Sequence, residues 1–168
     1  KPIWESVQSY SRAAYVASLS HFDAGRAVFN STVVTIFTII LMTAVSSLYA
    51  YALAFIRFRY KFFFFDLAVS TMMIPTAALI ISFYNVDKSL GLLNNWLGLI
   101  LPASVSGFGI FLLRQYFIKI PSSVIEAARM DGASHIHIWW HIILPLSRPA
   151  LAALAIIQFR ITWNDFLY

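Results

Sequence analysis

His137 and His141 stand four apart, the spacing that sets two imidazoles on one turn of a helix, so they are the first candidates for a metal. A zinc hydrolase would add a glutamate beside the first histidine and a further ligand. Neither accompanies this pair, and no metal site is expected. The sequence has no cysteine, which removes thiolate ligands, thiol nucleophiles and disulfides together. It has no GxxxxGK run, so nucleotide is not expected to bind here, and no cofactor is assigned to this chain. Acid–base or nucleophilic chemistry needs paired acids or a Ser–His pair. The apolar segments offer only Arg160 and Asp165, so no catalytic residue is assigned and an enzyme is not expected. One constellation has an evident physical role. Ser123-Val-Ile-Glu126 has the spacing of a capping box, in which serine and glutamate satisfy the first free amides of a helix.

The elements around these residues belong to lipid rather than water. Of 168 residues, 60% are hydrophobic and 11% charged, against about 25% charged in a soluble domain. The net charge of +5 does not indicate nucleic acid, because the basic residues flank apolar runs instead of forming a basic face. An apolar run of about 20 residues crosses the hydrocarbon core. Arg26 and Arg57 bracket a charge-free stretch, giving a first span near 33–55. A second lies near 67–84, with Pro75 expected to kink it. A third lies near 101–117, the preceding Gly91, Asn94, Asn95 and Pro102 reading as loop and interface. A fourth, near 149–168, is broken by Arg160 and Asp165. The expected class is an all-α polytopic membrane protein. Lys1 and Tyr168 both read as internal positions of a longer chain.

Lys and Arg stay on the cytoplasmic side in short loops. Arg57, Arg59 and Lys61 mark the first loop as cytoplasmic, and Arg114, Lys119, Arg129 and Arg148 mark the third. The second loop has Lys88 balanced by Asp87 and reads as external, with residues 1–26 also extracytoplasmic. Trp4, Tyr84 and Trp96 fall where outer-interface aromatics belong. Asp66 is expected to pair with Lys61 at the cytoplasmic interface. Small residues along the first span (Ala44, Ser46, Ser47, Ala50, Ala52, Ala54) let a neighbouring helix approach closely.

The cytoplasmic loop 119–148 carries helical signals of its own. Pro121 breaks the preceding helix, Ser123 is expected to start a new one, and Gly132 is expected to end it in the left-handed conformation. A second helix, Ser134 to about Leu144, is rich in aromatics and histidine, which suits a membrane face, and Pro145 ends it. Glu126 either caps its own helix or pairs with a partner, and the two roles are compatible.

Glu126-Ala127-Ala128, three residues, Gly132, nine residues, Ile142, one residue, Leu144-Pro145 resembles the EAA motif of ABC importer permeases, the binding-protein-dependent, MetI-like family. The flanks resemble its carbohydrate branch, of the maltose and glycerol-phosphate transporter type: YALAFIRFRYK at 51–61, TMMIP at 71–75, GLLNNWLGLILP at 91–102, FLLRQYF at 111–117 and TWNDFL at 162–167. The resemblance implies a type I importer transmembrane fold over residues 27–168, with four of six spans present. It implies that the EAA loop docks on a separate ATPase subunit, where ATP is hydrolysed. Glu126 would pair with a basic residue of that subunit, Ala127 and Ala128 would permit close approach, and Gly132 would make the turn. The implied setting is a prokaryotic inner membrane, with a second permease subunit and an extracytoplasmic substrate-binding protein as partners. The implied cargo is a sugar, oligosaccharide or glycerol-phosphate-type solute, with another small polar solute as the alternative. A channel or scaffold would not need the docking loop.

Arg160 lies about 16 Å along a helix from Pro149, near mid-bilayer, where a charge is functional by default. It lines the substrate pathway or pairs with a span outside this sequence, and in the family an apolar residue is usual here. Trp163, Asn164 and Asp165 match the family and suit either sugar recognition or helix–helix hydrogen bonding.

Overall fold

The computed structural model describes residue 14 and residues 23–165. Trp4 and most of the 1–26 segment, together with residues 166–168, lie outside the described residues. The chain divides into two compact units, residues 1–33 and 34–168, and the core and the candidate site described below lie in the second. The architecture is all-α: α1 (Ala24–Phe55), α2 (Lys61–Ser70), α3 (Thr76–Ser89), α4 (Trp96–Ala103), α5 (Gly107–Phe117), α6 (Ser122–Met130), α7 (His135–Leu146) and α8 (Arg148–Trp163).

α1 has neither Gly nor Pro after Gly25, and nothing interrupts its backbone ladder before the charged loop at Arg57. Gly25–Phe55 is long and apolar enough to cross a membrane alone; if each of three bent helix pairs is one span, the total is four. Lys61 Nζ donates to the Ala54 carbonyl at 3.0 Å, so the ammonium caps the end of α1. It does not pair with Asp66. Five residues apart on α2, the two side chains lie about 140° apart around the helix.

The second expected span is two helices rather than one kinked helix. α2 continues into a 3-10 turn at Thr71–Met73 and meets α3 at 103°. Ile74, forced out of the helical region by the proline that follows, has φ −88° and ψ 118°. The third span begins earlier than the sequence suggests. Asn95 caps α4, its Oδ1 accepting from the Leu97 amide at 3.0 Å, and α4 accommodates Pro102 before bending 45° into α5. Ser106 Oγ accepts from the Gly109 amide at 3.1 Å to start α5.

The core of this unit is where α1, α5 and the helices of the 119–148 loop meet. Met42, Ala50 and Tyr51 of α1 pack with Leu113 and Phe117 of α5. Ile125 of α6 and Ile138, Trp139 and Ile143 of α7 complete the cluster with Ala150 and Leu154 of α8. The small-residue stripe does what its composition implies. A Cβ on Gly109 would stand 2.8 Å from Ser46 Oγ and 3.2 Å from Met42 Sδ, so α5 crosses α1 with no room for a methyl. Apolar side chains face outward in quantity, among them Phe62 (73% exposed), Ile81 (75%) and Ile156 (69%), as a lipid-facing surface requires.

Candidate functional site

The 119–148 loop folds as two helices joined by a tight turn, both fixed to the bundle. α6 begins at Ser122 with Pro121 as its N-cap and no side-chain capping bond. The expected capping box is therefore absent. Pro121 sets the helix start one residue early, so Ser123 lies inside the first turn and Glu126 lies beyond reach of the free amides. The Glu126 carboxylate is exposed and does not cap its own helix.

The end of α6 explains the spacing of the motif. Gly132 has φ +82°; its amide donates to the Arg129 carbonyl at 3.0 Å, and the Ala133 amide donates to the Ala128 carbonyl at 3.0 Å. Those two bonds form a Schellman motif, which calls for a residue tolerant of the left-handed region at Gly132. Both alanines pack against the core. Ala127, by contrast, is exposed beside Glu126. α7 opens on Ser134, whose Oγ accepts from the His137 amide at 3.2 Å.

Pro145 does not end α7 at once. Residues Trp139–Ile143 are π-helical, and the helix closes at Leu146 before a 79° turn into α8. Pro145 has no amide to donate to the His141 carbonyl, and the wider turn ahead of it keeps its ring clear of that carbonyl. Ile142 and Leu144 are half-buried against the core, whereas Pro145 is exposed. The loop thus has a buried face, carrying Ile125, Ile138, Trp139 and Ile143, and an exposed one, carrying Glu126, Ala127, Met130 and Gly132.

A polar tie joins this loop to α1. Tyr51, 3% exposed, has its hydroxyl 3.0 Å from His135 Nδ1. Sequence reasoning missed the pair, because a tyrosine in an apolar helix and a histidine in a loop far along the chain carry no mutual signal. His137 and His141 stack with ring centroids 4.2 Å apart, and His141 Nδ1 lies 3.3 Å from the His137 carbonyl. Among the described residues no three His, Asp or Glu side chains converge as metal ligands would.

The second group of expected site residues lies at the end of α8, apart from the loop. Arg160 is in the last turn and exposed. Its carbonyl accepts from Asn164 Nδ2 at 2.7 Å, so the Asn164 amide closes its own helix. Trp163 stacks on Phe159 with centroids 5.5 Å apart, and Asp165 is exposed. Gln158, also missed, is buried, its amide donating to Thr162 Oγ1 at 2.9 Å. The signal for it was present, as the one amide in an otherwise apolar stretch of α8.

Residues 46–168 match the binding-protein-dependent transport system inner membrane component family. The chain belongs to that family. The chain's fold is similar to that in the crystal structure of a bacterial ABC transporter involved in the import of the acidic polysaccharide alginate, at a TM-score of 0.74 and 34% identity, covering 81% of this chain and 48% of that one. The sn-glycerol-3-phosphate transport system permease protein UgpE of Yersinia enterocolitica is 36% identical over 166 residues, 99% of this chain and 58% of the relative. The arabinooligosaccharides transport system permease protein AraQ of Halalkalibacterium halodurans is 38% identical over 139 residues, 83% of this chain and 50% of the relative. The chain spans about half the length of the curated relatives it matches. As a family member it is a transport-system inner-membrane component with the MetI-like, all-α fold that its EAA motif implies.

Proposed function

We propose that this chain belongs to a permease subunit of an ATP-driven ABC importer. Its helices form part of the pathway for a carbohydrate or glycerol-phosphate-type solute, and the α6–α7 loop couples them to a separate ATPase. The observation that carries this reading is the two-faced loop. One side is locked into the bundle by Ile125, Ile138, Trp139 and Ile143, and the other presents Glu126 with no cap to occupy it. A rigid element held by the spans and exposed on its far side transmits a push from a second protein into helix movement. The basic loops around Arg57 and Arg129 support a cytoplasmic position for this face. ATP is spent by the partner. An extracytoplasmic binding protein, which the family's description names, and a second permease subunit complete the assembly.

Arg160 and Trp163 are the proposed solute-facing residues of α8, a cation and an aromatic face at the exposed end of the helix. The test is solute uptake together with solute-stimulated ATP hydrolysis by the assembled complex. Glu126→Ala and Gly132→Val, whose β-branched side chain cannot follow the φ of +82°, are expected to abolish both while the subunit still inserts. Unchanged uptake in both variants contradicts the reading.

A further inference from the structure

A cleft of about 510 Å³ opens between the end of α1, the start of α2 and the face of α6, lined by Arg57, Lys61, Ser122, Glu126, Arg129 and His135. Three separate elements each send one cation into it, against a single carboxylate. Among the described residues none of the three cations is ion-paired, and Lys61 is held only by the Ala54 carbonyl, which leaves donor directions on its ammonium unused. His135 adds to the set: when the Tyr51 hydroxyl donates to Nδ1, the proton of the ring sits on Nε2 and makes it a further donor. The chemistry that satisfies such a cleft is an anionic oxygen cluster, as in a phosphate or phosphodiester.

A second feature selects the source of that anion. The residues flanking Lys61 in the chain are exposed aromatics, Tyr60 (61% exposed), Phe62 (73%) and Phe63 (62%). Arg59 lies over the Tyr60 ring at 5.8 Å. Aromatic rings beside basic residues mark the headgroup level of a bilayer, and basic pockets between helices on the cytoplasmic side hold anionic headgroups. A site for a water-soluble anion has no use for such a border.

We infer that the Arg57–Lys61–Arg129 cleft binds the phosphodiester headgroup of an anionic phospholipid from the cytoplasmic leaflet. The bound phosphate would lie beside Arg129, one helical turn from Glu126 on α6, and so would tie the lipid composition of the membrane to the face that docks the ATPase. The site rests on the orientation given under the proposed function but not on the docking itself. Lipid retention in a complex whose uptake is indifferent to Glu126→Ala removes the docking reading and leaves this one.

The experiment uses the full-length permease assembled with its ATPase in nanodiscs of phosphatidylcholine mixed equally with phosphatidylglycerol, and counts retained phosphatidylglycerol by native mass spectrometry. Arg57→Gln, Lys61→Gln and Arg129→Gln are each expected to lower retention about fivefold, and Lys88→Gln, outside the cleft, to leave it unchanged. Lys61→Arg and Arg129→Lys keep the charge and should keep the lipid. Equal retention in wild type and the three Gln variants overturns the site. Loss in the charge-keeping variants equal to that in their Gln counterparts also overturns it, by tracing the effect to folding. Displacement of the lipid by inorganic phosphate identifies a soluble-anion site and overturns the lipid assignment.

Discussion

The Tyr51 hydroxyl lies 3.0 Å from His135 Nδ1 across 84 residues of sequence, and this contact joins the first long helix to the start of α7. The two rings also meet edge to face, with centroids 6.0 Å apart. A buried polar contact of this kind fixes the loop against α1 at one register, where apolar packing alone tolerates small slips. Tyr51→Phe keeps the ring and removes the bond, at an expected cost of about 1 to 2 kcal/mol. The readout is the thermal midpoint of the purified complex together with ATP hydrolysed per solute carried. The midpoint is expected to fall and the ratio to rise; an unchanged ratio would show that the bond is structural only.

Gly132 tests whether the motif's glycine is there for its backbone or for space. A Cβ at this position meets nothing within 4 Å, and φ is +82°. Gly132→Ala is therefore expected to cost about 1 to 2 kcal/mol from conformation alone. Asn, which enters the left-handed region more readily, should retain more uptake than Ala despite its larger side chain. If uptake instead declines in order of side-chain size, an external surface must press on this position.

The crossing of α5 over the bend between α2 and α3 yields a paired prediction. A Cβ on Gly107 would collide with the Ala68 carbonyl and Thr71 Oγ1, whereas one on Gly109 would meet chiefly the Ser46 side chain. Gly107→Ala and Gly109→Ala should each destabilise the subunit by about 1 to 3 kcal/mol. Adding Ser46→Gly should recover much of the Gly109→Ala loss and none of the Gly107→Ala loss, because the Ala68 carbonyl belongs to the backbone. Expression of folded subunit, followed by size-exclusion chromatography in detergent, distinguishes the two.

Much of this arrangement was legible in the sequence, for identifiable reasons. Charge-free runs located the apolar helices, and Gly132 and Ser134 announced the turn between α6 and α7 through backbone chemistry that acts locally. The angles at the breaks were not legible. Pro75 signals an interruption, but whether the result is a slight kink or the 103° turn found here depends on what packs into the bend, in this case Gly107 of a helix far along the chain. The box at Ser123 and Glu126 failed for a local reason that the pattern did not weigh: Pro121 claimed the cap position first. At the candidate site the resemblance pointed to Glu126, Ala127 and Ala128 together; Glu126 and Ala127 are exposed on α6, whereas Ala128 packs inward against the core. The loop's anchorage through Tyr51 and the π-helical turn at Trp139–Ile143 could not be read, because both arise from packing between distant segments.

Arg160 and Trp163 offer a prediction about solute chemistry. Arg160→Gln removes the charge at the exposed end of α8 without touching the Asn164 bond, which uses the Arg160 backbone carbonyl. If the guanidinium contacts solute, uptake of an anionic solute should fall about tenfold or more, with loss of a charge-assisted contact worth about 1.5 to 3 kcal/mol, while ATP hydrolysis in the absence of solute is unchanged. A uniform loss of assembled complex would assign Arg160 to pairing with another span.

The central claim is that the outward face of α6 lies on the cytosolic side and is gripped by an ATPase subunit, and a single-cysteine experiment tests it most directly. The sequence contains no cysteine, so Ala127→Cys introduces one thiol beside Glu126 in a full-length permease with any other cysteine replaced. Labelling with a membrane-impermeant maleimide should occur in inside-out vesicles, be absent in right-side-out vesicles, and be blocked when the ATPase subunit is added. Labelling from the outer side, or labelling in inside-out vesicles that the ATPase leaves unchanged, would contradict the account.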